Sequence, residues 1–428
     1  MRTFIFIAAL IPSIAAGQSS TIDLATALRL AGANPIDLEF ARNNVRQAEA
    51  KYAETRNKFF PWFTVGAGYR RLDGNTQDTP GNITDVSKQS YQAGVGVVAE
   101  LRIGEAIYQS LAAKQRAAAA GHAVESVRQN LVAEVSAGYF DLLRAQAALK
   151  VSEQSKTLAA DYENQVTSAV TAGVAFEADQ YRAQAQALRH EITGRKALED
   201  IQVASARLCE MLRLPNGLDL RGADSQLVPL EYVAPSAVLG EQVRRALDKR
   251  PELRSREALL EAARAETEGA VKGPLIPDLS LRANTGGLGG GKNGNTGNFD
   301  DSSDFMLGVG WRIGPGGLFD HARTESARAA EASEDILLEK ARLRITREVL
   351  EAMARVRSVD ARLATVRKLL EATEKSYQLS LGRGATGVGG VLETLRSEED
   401  LSFARLAWFE LVTEYNKAQV ALRRATGG

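Results

Sequence analysis

The stretch ANPIDLEFARNNVRQAEAKYAETRNKFFPWFTVGAG (33–68) lies without a gap over KRPELRSREALLEAARAETEGAVKGPLIPDLSLRAN (249–284). Ser20, Pro35 and Pro61 match Ser236, Pro251 and Pro277, each pair 216 residues apart. Self-similarity of this kind marks a repeated supersecondary unit. In both copies an Ala- and charge-rich run with helical spacing meets a proline and then turns to alternation. Proline cannot continue the helical hydrogen-bond ladder, so Pro61 is expected to end a helix and open a strand. Phe59, Phe60 and Trp62 fall where interfacial aromatics would sit.

Outward from this junction the match goes on. GVGVVAELRIGEAIYQ (94–109) resembles GVGWRIGPGGLFD (308–320), and Gly173 and Tyr181 match Gly384 and Leu392 at a spacing of 211. Each copy reads helix, strand, loop, strand, very long helix, glycine turn, helix. The expected organisation is a signal peptide at 1–17, a first repeat at 18–212, a linker at 213–236 and a second repeat at 237–428. The linker carries Pro215, Pro229 and Pro235 without periodicity, and Ser236 is the expected N-cap of the next helix.

The start, MRTFIFIAALIPSIAAGQSS (1–20), has Arg2, an apolar run and then small residues, the layout of a secretory signal. Lys and Arg number 53 against 53 Asp and Glu, so no global charge draws the chain to nucleic acid. The one cysteine, Cys209, allows no internal disulfide and reads as a small buried residue. No later run is apolar for about eighteen residues, so any membrane span must use strands.

Four segments alternate, each about ten residues long. Phe63, Val65, Ala67 and Tyr69 share one face of the first; Tyr91, Val95, Val97 and on to Ile103 share one face of the second. Leu279 and Leu281 do so in the third, and Phe305, Leu307, Val309 and Trp311 in the fourth. Small or polar residues stand opposite. That suits a transmembrane barrel with an apolar outside, and equally a half-buried sheet. The helices decide between them. From about Ile107 to Thr171 and from about Ala322 to Leu381 no proline intervenes, and sixty residues rise roughly 90 Å. Val349, Val356, Leu363 and Leu370 recur at the coiled-coil period. Four strands cannot close a barrel, and an open edge is not tolerated in lipid. Three copies would supply twelve.

These residues resemble the TolC-like outer-membrane efflux protein family. ALRLAGANPIDLEFAR (27–42) is similar to its opening motif, EVSAGYFDLLRAQAAL (134–149) to its long-helix signature, TAGVAFEADQYRAQAQ (171–186) to its helix–turn–helix tip, and GLFDHAR (317–323) to its strand-to-helix exit. The resemblance implies a mainly α fold with a small β part: a long α-helical coiled-coil barrel plus four transmembrane strands per chain, closing a 12-stranded barrel as a homotrimer. It implies an outer-membrane exit duct with a long periplasmic portion, passive and driven by an inner-membrane pump, proton- or ATP-driven, through a periplasmic adaptor. Carried over, Ala172, Gly173 and Val174 form one adaptor-contacting tip and Gly384, Ala385 and Thr386 the other. GRGATGVGGVLETL (382–395) has glycine where the family has an apolar-Asp pair, which points to a looser second tip. In a three-fold tunnel Glu177, Asp179, Glu371 and Glu374 would each become a ring of three favouring cations; a solvated face or a local ion pair is the other reading. The contrasting function is an exported structural coiled-coil protein bridging the envelope, which has no use for the strands.

No enzyme chemistry is expected. His122, His190 and His321 are far apart in sequence, each in a polar helical stretch, and no metal-ligand spacing or cofactor motif occurs. GGLGGGKNGNTGN (286–298) nearly matches a phosphate-binding loop, but Asn293 replaces the magnesium-holding hydroxyl and a strand follows. It reads as a flexible loop, as does DGNTQDTPGNITD (73–85).

Overall fold

A computed structural model describes residues 19–33, 35–215, 217–224, 227–385 and 390–428; the expected signal peptide lies outside them. In chain order the elements are β1 (Ser19–Ile22), α1 (Leu24–Ala33), α2 (Ile36–Asn57), β2 (Trp62–Gln77), β3 (Ile83–Leu101), α3 (Ile103–Thr171), α4 (Glu177–Leu212) and β4 (Asp219–Gly222). Then follow α5 (Leu239–Lys249), α6 (Pro251–Val271), β5 (Asp278–Lys292), β6 (Asp300–Gly310), α7 (His321–Ala385) and α8 (Val391–Ala425). They form two compact units.

The first unit comprises residues up to 41, 124–251 and 342–428. Its core is a coiled-coil packing of α3, α4, α7 and α8, with Val135 and Leu142, Ile201 and Leu208, Val356 and Val412 all buried. The heptad holds: Val349, Val356 and Leu363 are buried and Leu370 half-buried. Cys209 is buried and free, and burial pushes its thiol up.

Residues 213–236 are more than a linker. Asp219–Gly222 is a strand, pairing in parallel with Ser19–Ile22. Leu220 is buried and its N–H donates to Ser205 Oγ at 2.7 Å. Further on, Asn416 and Gln419 of α8 bond the backbone of Val228, Leu230, Tyr232 and Val233. Ser236 is not a helix cap. The Arg357 guanidinium donates to the carbonyls of Pro235 and Ala237, which keeps the chain in a turn until α5 opens at Leu239 behind Val238.

The second unit comprises residues 42–123 and 252–341. Here α3 and α6 approach through Ala112, Ala262 and Ala265, with Ser255 Oγ donating to the Ala119 carbonyl at 3.0 Å. α2 stops at Asn57. A turn through Phe59 and Phe60 precedes Pro61, because the residue before a proline is pushed out of the helical region.

The four-stranded sheet has the order β2-β3-β5-β6, antiparallel throughout. Its strands are longer than the expected ten residues: 16, 19, 15 and 11. Both segments read as flexible loops are largely strand. In the first, the ladder runs from Trp62↔Val98 to Gln77↔Ile83, helped by Ser87 Oγ on Asp73 at 2.6 Å. Asp78 then closes a five-residue turn by accepting the Asn82 N–H at 2.7 Å. In the second, Gly286–Lys292 pairs with β3. Its glycines leave room for rings: Tyr91 and Phe299 stack at 5.6 Å, and a Cβ on Gly287 would lie 2.1 Å from Phe299. At the other ends, β3 stops at Leu101, so Ile103 begins α3, and Trp311 lies just beyond β6.

Candidate functional site

Cross-strand partners share a face, so the register assigns the apolar residues to sides of the sheet. Phe63, Val97, Ala283 and Phe305 form one row across all four strands; Val65 and Val95 stand in the next, and Tyr69 faces Tyr91 further along. Leu281 joins Leu307, and Leu279 joins Val309. Eleven of the twelve candidate lipid-facing residues therefore occupy one face, the twelfth being Trp311 beyond the strand end. Phe63, Val65, Phe305, Leu307 and Val309 are each at least 60 % exposed. The reverse face carries Thr64, Gly66 and Gly68, Gln92, Gly94 and Gly96, Ser280, Arg282 and Asn284. β2 and β6 end the strand order, so each has an edge without a strand partner among the described residues.

Burying that much exposed apolar surface from water would contribute on the order of 25 cal/mol per Å². Among the described residues no helix is long and apolar enough to cross a membrane. The sheet is the element whose exposed surface matches lipid on one side and water on the other.

The first tip is built by a helix stop. Gly173 has φ +74°, the left-handed conformation that ends helices and that glycine adopts without a Cβ penalty. The Gly173 and Val174 N–H groups bond back to the carbonyls of Val170 and Ala169 at 2.9 Å. Ala172 is exposed, and Val174 and Phe176 are about 80 % exposed. At the second tip α7 continues through Gly384 and Ala385, for which only the backbone is described; Thr386 and residues 387–389 lie outside the described residues.

The four candidate carboxylates divide. Asp179 pairs with Arg182 at 2.8 Å and Glu374 with Arg405 at 3.8 Å. Among the described residues Glu177 meets the Tyr181 hydroxyl at 3.4 Å and has no ion pair, and Glu371 is exposed without one.

One cluster is not visible in the sequence. His190 of α4 and Glu398 of α8 are both buried, with Nε2 2.8 Å from Oε2, and Gln186 Nε2 donates to the same oxygen at 3.1 Å. Both residues sit in charged runs, and only the pairing of α4 with α8 brings them together. Elsewhere in the same unit Tyr139 donates to Asp224 at 2.7 Å, and burial raises its phenol well above the ordinary range. Among the described residues no group of three or more His, Cys, Asp or Glu could hold a metal ion.

A chain with an apolar-faced, open-edged sheet and helices of 69 and 65 residues belongs to the class of outer-membrane channel proteins. The sequence profile described as outer membrane efflux protein matches residues 27–212 and 243–428. The chain belongs to that family: it is an outer-membrane channel of an efflux system, with a long periplasmic helical portion. It is 25 % identical over 413 residues to the probable efflux pump outer membrane protein TtgC of Pseudomonas putida, covering 92 % of this chain and 81 % of that one. It is 24 % identical over 416 residues to the cation efflux system protein CusC of Escherichia coli, covering 92 % and 84 %. A membrane protein of Pseudomonas aeruginosa known from a crystal structure shares the fold with a TM-score of 0.81 at 22 % identity, over 100 % of this chain and 99 % of that one.

Proposed function

We propose that this chain is one third of a homotrimeric, passive exit duct from periplasm to exterior. The observation that carries the reading is the open four-stranded sheet with one apolar face. Its free edges need partners in lipid, and three sheets of four strands supply an even-numbered barrel of twelve. Phe63, Val65, Tyr69, Tyr91 and the rest of that face then contact outer-membrane lipid, and the Gly- and polar-lined face meets water.

The same proposal gives the chain two partners. A periplasmic adaptor docks on the tip at Ala172, Gly173 and Val174, where exposed Val174 and Phe176 supply an apolar contact, and at the tip formed by Gly384, Ala385 and Thr386. An inner-membrane pump, proton- or ATP-driven, supplies the energy. Of the four possible tunnel carboxylates, Glu177 and Glu371 have no basic partner among the described residues and are the ones able to form a ring in the tunnel. The relatives' names speak of an efflux pump and of a cation efflux system. The chain is also read as a signal peptide (1–17) followed by two copies of one unit (18–212 and 237–428). Support comes from the element order and from a family profile that matches in two stretches.

Purified protein in a planar bilayer tests the duct. Discrete conductance steps are expected, and a silent membrane under every voltage and salt condition contradicts the reading.

A further inference from the structure

His190 and Glu398 stand 208 positions apart in sequence, and their side chains are only 8 % and 7 % exposed. A buried carboxylate is costly unless it is paired and hydrogen-bonded. Here Glu398 Oε2 is the acceptor for Gln186 Nε2 at 3.1 Å and lies 2.8 Å from His190 Nε2. To satisfy a carboxylate oxygen, Nε2 must carry the imidazole proton. Nδ1 then has no protein partner among the described residues, and a second proton can be added there without breaking the contact.

We propose that this cluster is a proton-operated tie between the α3–α4 hairpin and the α7–α8 hairpin, tightened when His190 is protonated. The inference rests on the duct reading and adds a control to it: acid favours the closed packing of the hairpins. The tie reaches both sides. On α4, Gln186 and His190 contact Glu398 of α8; from α3, Ser152 Oγ donates to the His190 carbonyl at 2.6 Å. Protonation turns a neutral donor facing a buried anion into an ion pair in a poorly hydrated site, where charge interactions are strongest. Separating the hairpins would expose both groups to water and discard that gain.

The surrounding ionisable groups do not offer a competing switch. Tyr377 of α7 senses the Glu398 charge, and Tyr162 of α3 lies close to Tyr377; burial first of all pushes both phenols up, so both stay neutral. Arg405 of α8 is taken by Glu374 at 3.8 Å. Arg189 lies 3.9 Å from Glu399, and Lys156 lies 3.4 Å from Glu191, so these charges are paired with each other. Histidine is the residue type whose charge changes between pH 5 and 8.

The test uses the full-length protein with spin labels at Lys196→Cys on α4 and Arg396→Cys on α8, in a Cys209→Ala background, together with bilayer conductance. The expected result is a label distance that widens, and a conducting fraction that rises by ~3- to 10-fold, as pH goes from 5 to 8; the ceiling is about tenfold per pH unit for each proton taken up. His190→Gln keeps an N–H donor toward Glu398 without a titrating ring, and Glu398→Gln removes the charge. Both should flatten the pH response, while His122→Gln and His321→Gln keep it. A His190→Gln channel with the unaltered pH profile overturns the proposal, and so does a conducting channel whose label distance ignores pH. A silent channel whose label distance still follows pH through His190 supports the tie and contradicts the duct instead.

Discussion

Asn416 holds Leu230 as a neighbouring strand would: its Oδ1 accepts the Leu230 N–H at 2.7 Å, and its Nδ2 donates to the Val228 carbonyl at 2.9 Å. One turn on, Gln419 does the same for Tyr232 and Val233. Both side chains are fully buried. Two amides on one face of α8 thus satisfy an irregular segment that joins no sheet among the described residues. Asn416→Ala should cost about 1–3 kcal/mol, the penalty for leaving buried backbone groups unpaired. Denaturant titration with amide exchange at Leu230 checks it: exchange at that amide should accelerate while exchange in the core of α3 keeps its rate.

Asp320 caps α7 by accepting the Gly316 N–H at 2.8 Å and the Arg323 N–H at 3.0 Å. These backbone hydrogen bonds, Gly316 first, hold its carboxyl below the usual carboxylate range. The folded-state pKa is lowered, so the stabilisation is fully present above the unfolded value and is lost as pH falls through the folded one. Amide exchange at Arg323, corrected for the intrinsic pH dependence, should therefore lose protection in acid. Asp320→Ala should lose it at all pH values.

Gly287 lies under the Phe299 ring, and Gly289 lies against Tyr91. Gly287→Val should push Phe299 off the sheet and free residues 293–299, at an overpacking cost of roughly 1–3 kcal/mol. Limited proteolysis reads it: cutting within 293–299 should rise sharply, with the rest of the chain unchanged.

Among the described residues Glu177 and Glu371 have no basic partner, whereas Asp179 and Glu374 pair with Arg182 and Arg405. If the free pair lines the tunnel, the double variant Glu177→Gln, Glu371→Gln lowers cation-over-anion permeability several-fold. Asp179→Asn should change it much less. Reversal potentials in a salt gradient distinguish the two, and equal effects would contradict the division.

Much of this architecture can be read from residue patterns because it rests on local periodicity. The heptad through Val349, Val356 and Leu363 and the alternation of Phe63 with Val65 depend on spacing along one element, and the fold keeps both. What escaped depends on pairing. Gly286–Lys292 has poor strand propensity and is a strand because β3 supplies hydrogen bonds and two rings need the space. Asp219–Gly222 is too short and too polar for an alternation signal. His190 and Glu398 each belong to a polar helical run, and nothing along the chain says that α4 and α8 meet there. The candidate site follows the same division: the apolar face was legible strand by strand, and the buried tie was not.

The central claim is that the free edges of β2 and β6 are closed by other copies of the chain in the membrane. Native mass spectrometry of the protein released from the outer membrane in mild detergent tests it most directly. The account predicts a single dominant species of three chains. A stable monomer or dimer from the same membrane would contradict it.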